Sequence, residues 1–286
     1  MYFNWDELER MTGEFNRTPQ EDFDGFTPEE MHAILYDPFG ASCPIHINTS
    51  IDVQWLETSP MYNLIRHLLD LLRQEGELSL TKIGNLRRNV VRELYKEQYL
   101  PQEDIESGIT KLSSENDWKA LRSAKLALEF SGIVRKYREK LVPVKKRDSL
   151  LDPENSVDMF IRFFRVFTTE FNWAYNDRYP SETAGQEGFL YLLYLLRNYG
   201  KTERDLSFYS GRYFQAFPDL QIPERDQYGP YSKSEQVIRT RFFRRFTEWF
   251  GFSTMRRTGE AEHYLLQRIK IKHTAFLREL IHLRNS

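Results

Sequence analysis

The chain has one cysteine, Cys43, among 286 residues, which excludes an internal disulfide and a cysteine-based zinc site. A reducing compartment fits that usage. Long apolar runs are missing too: the longest, Phe189 to Leu196, falls far short of the roughly 20 residues that cross a bilayer. The opening Met1-Tyr2-Phe3-Asn4-Trp5-Asp6-Glu7 lacks the basic region and apolar stretch of a secretory leader. The expectation is a soluble, cytoplasmic protein with no membrane partner. No glycine-rich phosphate loop, Gly-x-Ser-x-Gly or dinucleotide fingerprint occurs. The six histidines, His32, His46, His67, His263, His273 and His282, show no metal-ligand spacing such as His-Glu-x-x-His. Asp22 and Asp24 with Glu29 and Glu30 could be drawn as a metal-binding nuclease cluster, but capping and solvation are the stronger account of them. The residues therefore point to no catalytic constellation, no cofactor and no metal, and to binding rather than chemistry.

What the chain does have is aromatics, at 15%, and charge, at 29%, with 40% hydrophobic residues overall. The rings fall mostly on helical patterns, as core packing requires. The formal net charge of −2 hides an uneven distribution. Residues 1 to 58 hold twelve acidic residues against Arg10 and Arg17 (net −10), whereas Asp117 to Arg147 and Ser232 to Ser286 each carry a net +7. An acidic segment precedes two basic ones.

Residues 1 to 58 read as an acidic arm. Thr27-Pro28-Glu29-Glu30 is a capping-box helix start that Pro38 and Gly40 close, and Ala41 to Thr58 is an irregular or extended connector. Ser59-Pro60 opens a helix whose Leu64, Ile65, Leu68, Leu69 and Leu72 share one face up to Gly76. Leu78-Ser79-Leu80 alternates as a short strand, and Leu86, Val90, Val91 and Leu94 return to helical spacing. From Trp118 to Phe130, Leu121, Ala124, Ala127 and Leu128 form a core face, with Lys119, Arg122, Ser123 and Glu129 turned away. Gly132 suits the helix end. The runs Ile133 to Tyr137 and Leu141 to Lys145 then flank a turn at Arg138-Glu139-Lys140 as a basic hairpin. Pro143 should lie at an edge or an interruption.

The order helix, strand, helix, helix, hairpin resembles the winged-helix superfamily over about residues 59 to 147. The connection before Trp118 is longer than the compact turn of typical members. The resemblance implies DNA binding, with the third helix as recognition helix and the hairpin as wing; winged helices also serve as protein-interaction modules. Thr27 to Met31 and Leu80 to Leu86 also resemble segments of uncharacterised bacterial proteins, which implies no activity.

After a boundary near Arg147 to Ser156, the order returns. Leu71-Leu72-Arg73-Gln74-Glu75-Gly76 is echoed by Leu195-Leu196-Arg197-Asn198-Tyr199-Gly200, and Leu78-Ser79-Leu80 by Leu206-Ser207-Phe208. A helix from Ser234 to Phe250 runs into Gly251 as the earlier one runs into Gly132. Segments Phe252 to Arg257 and Arg268 to His273 would make a second wing. The pattern reads as a tandem duplication. Arg241, Arg244 and Arg245 project from one side of the second recognition helix, where they suit phosphates or guanine edges.

The fold expected is thus mainly α with small β-hairpins: an acidic arm (1–58) and two tandem winged-helix-like domains (59–150 and 156–286). The function expected is non-enzymatic DNA binding of a regulatory kind, with a protein-interaction adaptor as the alternative. The nucleic-acid-binding residues would be Lys119, Arg122, Arg138, Lys140, Arg241, Arg244, Arg245, Arg256, Arg257, Lys270 and Lys272; the acidic arm would partly mask the basic faces, or else be a packed extension held by Trp5, Phe15, Phe23, Phe26 and Tyr36 with its acids solvated. Oligomeric state and target site are not encoded legibly.

Overall fold

The computed structural model describes residues 5–175, 177–223, 229–259 and 267–283. The chain is mainly helical, with small antiparallel sheets of two or three strands among the described residues.

The N-terminal segment forms α1 (Trp5–Asn16), α2 (Pro28–Tyr36), β1 (Ile45–Ile47) and α3 (Val53–Leu56). The Thr27 capping box starts α2: the Thr27 hydroxyl accepts from the Glu30 amide, and the Glu30 carboxylate accepts from the Thr27 amide. Met31, Ile34, Cys43, Ile45, Ile51 and Leu56 are buried in the main core. Phe23 and Phe26 pack against that core, while Trp5, Phe15 and Tyr36 stay exposed. The segment is therefore stitched to the rest of the molecule through its middle.

Next come α4 (Pro60–Glu75), β2 (Leu78–Ser79), α5 (Arg88–Lys96), the short α6 (Glu103–Glu106), α7 (Lys119–Phe130), β3 (Val134–Tyr137) and β4 (Lys140–Pro143). Ser59 caps α4, and its expected apolar face is fully buried. Arg138 and Glu139 both take positive φ in the two-residue hairpin turn, which matches strand twist to a tight reversal. The sheet order is β2-β4-β3, but β2 reaches only Lys140 and Leu141 of β4. Pro143 therefore ends its strand beyond β2, where no ladder donor is needed on that side.

The third segment contains α8 (Ser156–Thr169), α9 (Phe189–Tyr199), β5 (Arg204–Asp205), α10 (Leu206–Ala216), α11 (Lys233–Ile238), a π-helix (Arg239–Thr247), β6 (Ser253–Thr258) and β7 (Arg268–His273). α12 (Ala275–Leu280) and β8 (Ile281–Leu283) follow, and β8 pairs with β1, bringing the C-terminal end back to the N-terminal segment. Its three-stranded sheet has the order β5-β7-β6, so in both sheets the second hairpin strand lies in the middle. Gly132 (φ 64°) and Gly251 (φ 74°) each precede a hairpin, and their amides donate to Glu129 and Glu248, three residues back. The expected irregular or extended connector 41–58 contains the short helix α3, and the expected strand at Leu206-Ser207-Phe208 is instead the start of α10. The Asp205 side chain accepts from the Ser207 amide at 3.1 Å and caps a helix there, which moves the strand upstream.

One main core runs through these segments, and Ala184, Ile222 and Val237 form a second, small cluster. The centre of the main core is aromatic: Phe160, Phe164 and Phe167 of α8 meet Phe246, Phe250 and Phe252, and the Trp173 and Phe246 rings lie 4.6 Å apart. The chain after the π-helix docks on the start of α4, where the Met61 amide donates to the Trp249 carbonyl at 2.8 Å.

A side chain on Gly251 would face the Thr58 carbonyl at 3.1 Å and Pro60 at 3.2 Å on a backbone already at positive φ. Gly251→Ala should therefore lower unfolding stability by about 1–3 kcal/mol, read from the urea midpoint. Gly211→Ala, inside α10 with nothing within 4 Å, should be neutral or stabilising. Equal effects at both sites would contradict the packing role given to Gly251.

Candidate nucleic-acid interface

The expected site residues fall into three settings. Arg241 is in the core. Its side chain is 0% exposed and forms an ion pair with Asp177, Nε to Oδ2 at 2.5 Å and Nη2 to Oδ1 at 3.1 Å. It also donates to the Ala184 carbonyl at 2.9 Å and the Ser181 carbonyl at 2.7 Å, so the guanidinium is satisfied on several sides. The expectation of an outward Arg241 is corrected, and the cause is the π-helix. Its hydrogen bonds reach back five residues, as in Glu248 to Phe243, so a wheel drawn at α-helical pitch points residues the wrong way.

The first helix has its own buried cation. Lys125, absent from the sequence reading, is 1% exposed and pairs with the 2%-exposed Glu115 at 2.7 Å. Its ammonium also donates to the Gly84 carbonyl, while Glu115 accepts from the Leu86 amide at 2.6 Å. Burial pushes the Lys125 pKa down against the pull of Glu115. A signal existed: Lys125 lies four residues after Leu121 and three before Leu128, on the apolar face. Ser123 is likewise buried rather than turned outward.

The second setting is the seam where α7 and the π-helix approach each other. Arg122 is half-buried, stacks on Tyr175 with its guanidinium carbon 5.1 Å from the ring centroid, and donates to Asn116 and the Tyr175 hydroxyl. Arg245, also half-buried, donates to the Tyr175 carbonyl at 3.3 Å. Exposed Arg244 pairs with Glu103 of α6 at 2.7 Å, and Arg257 of β6 approaches the same carboxylate at 3.5 Å. Burial opposes ionisation of Glu103, but Arg244 and Arg257 outweigh it and hold the carboxyl below its ordinary value. Lys119, Arg244 and Arg245 all line a cleft of about 550 Å³ with Trp249. The structure brings these five basic residues together, yet along a seam rather than on an open helix face. Along α7 only Lys119 and Phe130 are exposed.

The third setting is the pair of wings. Arg138 is exposed at the first hairpin tip with its guanidinium carbon 5.1 Å from the Tyr137 ring, and Lys140 pairs with Glu77. On the second wing, Arg256 pairs with Glu203, Nε to Oε1 at 3.0 Å, Lys270 lies 3.4 Å from Asp205, and Lys272 is exposed.

In the arm, Glu14 pairs with Arg10, Glu29 with Arg17 and Asp24 with Arg212, none of them among these cations. Asp22 accepts from Gln215 and Asp24 from Tyr199, so these acids have anchoring roles. Among the described residues no three His, Cys, Asp or Glu side chains gather as a metal site, and no helix is long and apolar enough to cross a membrane. His263 lies outside the described residues.

Two outcomes follow from this geometry. Arg241→Ala leaves the buried Asp177 carboxyl without its cation and should cost about 3–5 kcal/mol by chemical denaturation, whereas the exposed Arg244→Ala should stay within about 0.5 kcal/mol. Glu248 provides a pH test, because burial, against the nearby Arg244, Arg257 and Arg239, pushes its carboxyl up to about 7. The folded form then binds a proton that the unfolded form has released, so stability should fall as pH rises from about 4.5 to about 7 and level off above that. Glu248→Gln should flatten this slope, and an unchanged pH profile would contradict the assignment.

A family model described as the Y4jL N-terminal domain matches residues 57–156, from just before α4 to the first residue of α8. No curated protein matches the chain, and no solved structure does.

Proposed function

We propose that the chain is a non-enzymatic nucleic-acid-binding protein, made of two tandem winged-helix-like domains behind an acidic segment, that grips duplex DNA by its phosphates through its two basic wings. The observation that carries this reading is the recurrence of one topology. α4, β2, α5, α7, β3, β4 and α9, β5, α10, π-helix, β6, β7 run in the same order, with matching sheet orders β2-β4-β3 and β5-β7-β6. Each copy ends in a hairpin with exposed basic residues: Arg135, Lys136 and Arg138 on the first, Arg256, Arg257 and Lys272 on the second. Phosphate contacts need charge at a reachable tip, whereas base readout needs a helix free to enter the major groove. With Arg241 buried and Arg122 held by Tyr175, the wings support the reading better than the helices do. Sequence-neutral binding, with a regulatory role arising from occupancy, is the form it takes.

The adaptor reading has one observation in its favour. Ile83 (76% exposed), Phe130 (55%) and Tyr137 (46%) are large apolar residues near the first wing, a composition that suits a protein surface.

Salt dependence separates the two. Affinity for duplex DNA should fall with salt at a log-log slope near −0.9 per phosphate neutralised, and replacing Arg135, Arg138, Arg256 and Lys272 with Ala should reduce the slope by up to about 0.9 for each residue. These exposed changes should leave the melting temperature nearly unchanged. A folded quadruple variant with the parent slope would rule out wing contacts, and no measurable DNA binding at low salt would favour the adaptor.

A further inference from the structure

The cleft at the seam holds an electrostatic imbalance that the wing reading leaves unused. Lys119, Arg244 and Arg245 converge on it from both sides, Lys119 from the start of α7 and the arginines from the π-helix. Of these cations, only Arg244 has a carboxylate within ion-pair distance among the described residues, and it shares Glu103 with Arg257. Asp177, the acid nearest in sequence to Tyr175, is committed to Arg241. Asp104 also lines the cleft without forming an ion pair among the described residues. Partial burial, then Arg245 and Arg244, hold the Lys119 pKa below its ordinary value against the opposing pull of Asp104, so the cations do crowd one another. Glu103 lines the cleft together with Asp104, so three cations face two carboxylates there; the positive charge left over, crowded around Lys119, is what a bound anion would relieve.

We infer that this cleft is a binding site for a phosphate monoester, the dianion seated between Lys119 and Arg245 and its organic group resting on the wall formed by Leu100 and Trp249. A dianion suits two cations that lack a carboxylate partner better than a carboxylate does, and a guanidinium presents a planar fork of donors to phosphate oxygens. The cleft's volume of about 550 Å³ is that of a small-molecule site. Because its walls come from the Leu100 to Ile109 segment and the start of α7 on one side and from the π-helix and Trp249 on the other, an occupant would tie the two halves of the molecule together. The inference does not depend on the wings binding DNA.

The test is a calorimetric titration of the full chain with inorganic phosphate and with phenyl phosphate, at constant ionic strength held with chloride. Saturable one-site binding is expected, tighter for phenyl phosphate, and weakened about tenfold or more by Lys119→Ala and by Arg245→Gln. Lys119 is exposed, so its variant should fold even if the Arg245 variant does not. The Lys119 ammonium, followed by NMR, should titrate at higher pH in the phosphate-saturated protein. Absence of saturable binding, or binding that Lys119→Ala leaves unchanged, would overturn the site. Displacement of phenyl phosphate by duplex DNA would also overturn it, by assigning the cleft to backbone phosphates; retention in the presence of DNA supports it.

Discussion

The Arg241 to Asp177 ion pair organises the second half of this protein. A guanidinium with no exposure is tolerable only when its donors are met, and here one carboxylate and two backbone carbonyls meet them. That requirement holds the segment around Asp177 to Ala184 against the π-helix. Nearby in the chain, Trp173 closes on Phe246 and Tyr175 sits between Arg122 and Arg245. An ion pair buried this way contributes little net stability beyond what an apolar pair could offer, but losing one member is costly, so its weight lies in specifying the arrangement. Lys125 and Glu115 do the corresponding work in the first half, pinning the β2 to α5 turn through Gly84 and Leu86.

The consequence for function is one of access. Each candidate recognition helix puts a cation into the core, and the two helices turn much of their remaining basic surface toward a shared seam. The wings remain outward. Their charges are exposed and partly neutralised by Glu77, Glu203 and Asp205, while Asp24 of the acidic N-terminal segment pairs with Arg212 instead. For a molecule with net charge −2, nucleic-acid binding would depend on such local fields, which salt screens readily.

Much of the architecture was legible because it rests on local rules. Thr27 and Ser59 announce their helices, the leucines of α4 show their face, and Gly132 and Gly251 mark helix ends at positive φ. What escaped depended on partners far along the chain or on non-standard pitch. Nothing near Arg241 signals Asp177, 64 residues away, and the wheel that turned Arg241 outward assumed an α-helix where the backbone is π. Leu206-Ser207-Phe208 alternates as a strand would, yet the Asp205 cap decides the matter locally in favour of a helix. Lys125 was readable from its place on an apolar face and was overlooked. The seam itself could not be read, because Glu103, Tyr175 and Trp249 reach it from three separate segments.

The central claim is that the wings, rather than the helices before them, meet nucleic acid. Hydrogen exchange of the protein with and without duplex DNA at low salt tests it most directly. Slowed exchange at β3 and β4 and at β6 and β7, with α7 unchanged, is the predicted footprint. Protection centred on α7 and the π-helix, with the hairpins unaffected, would contradict it.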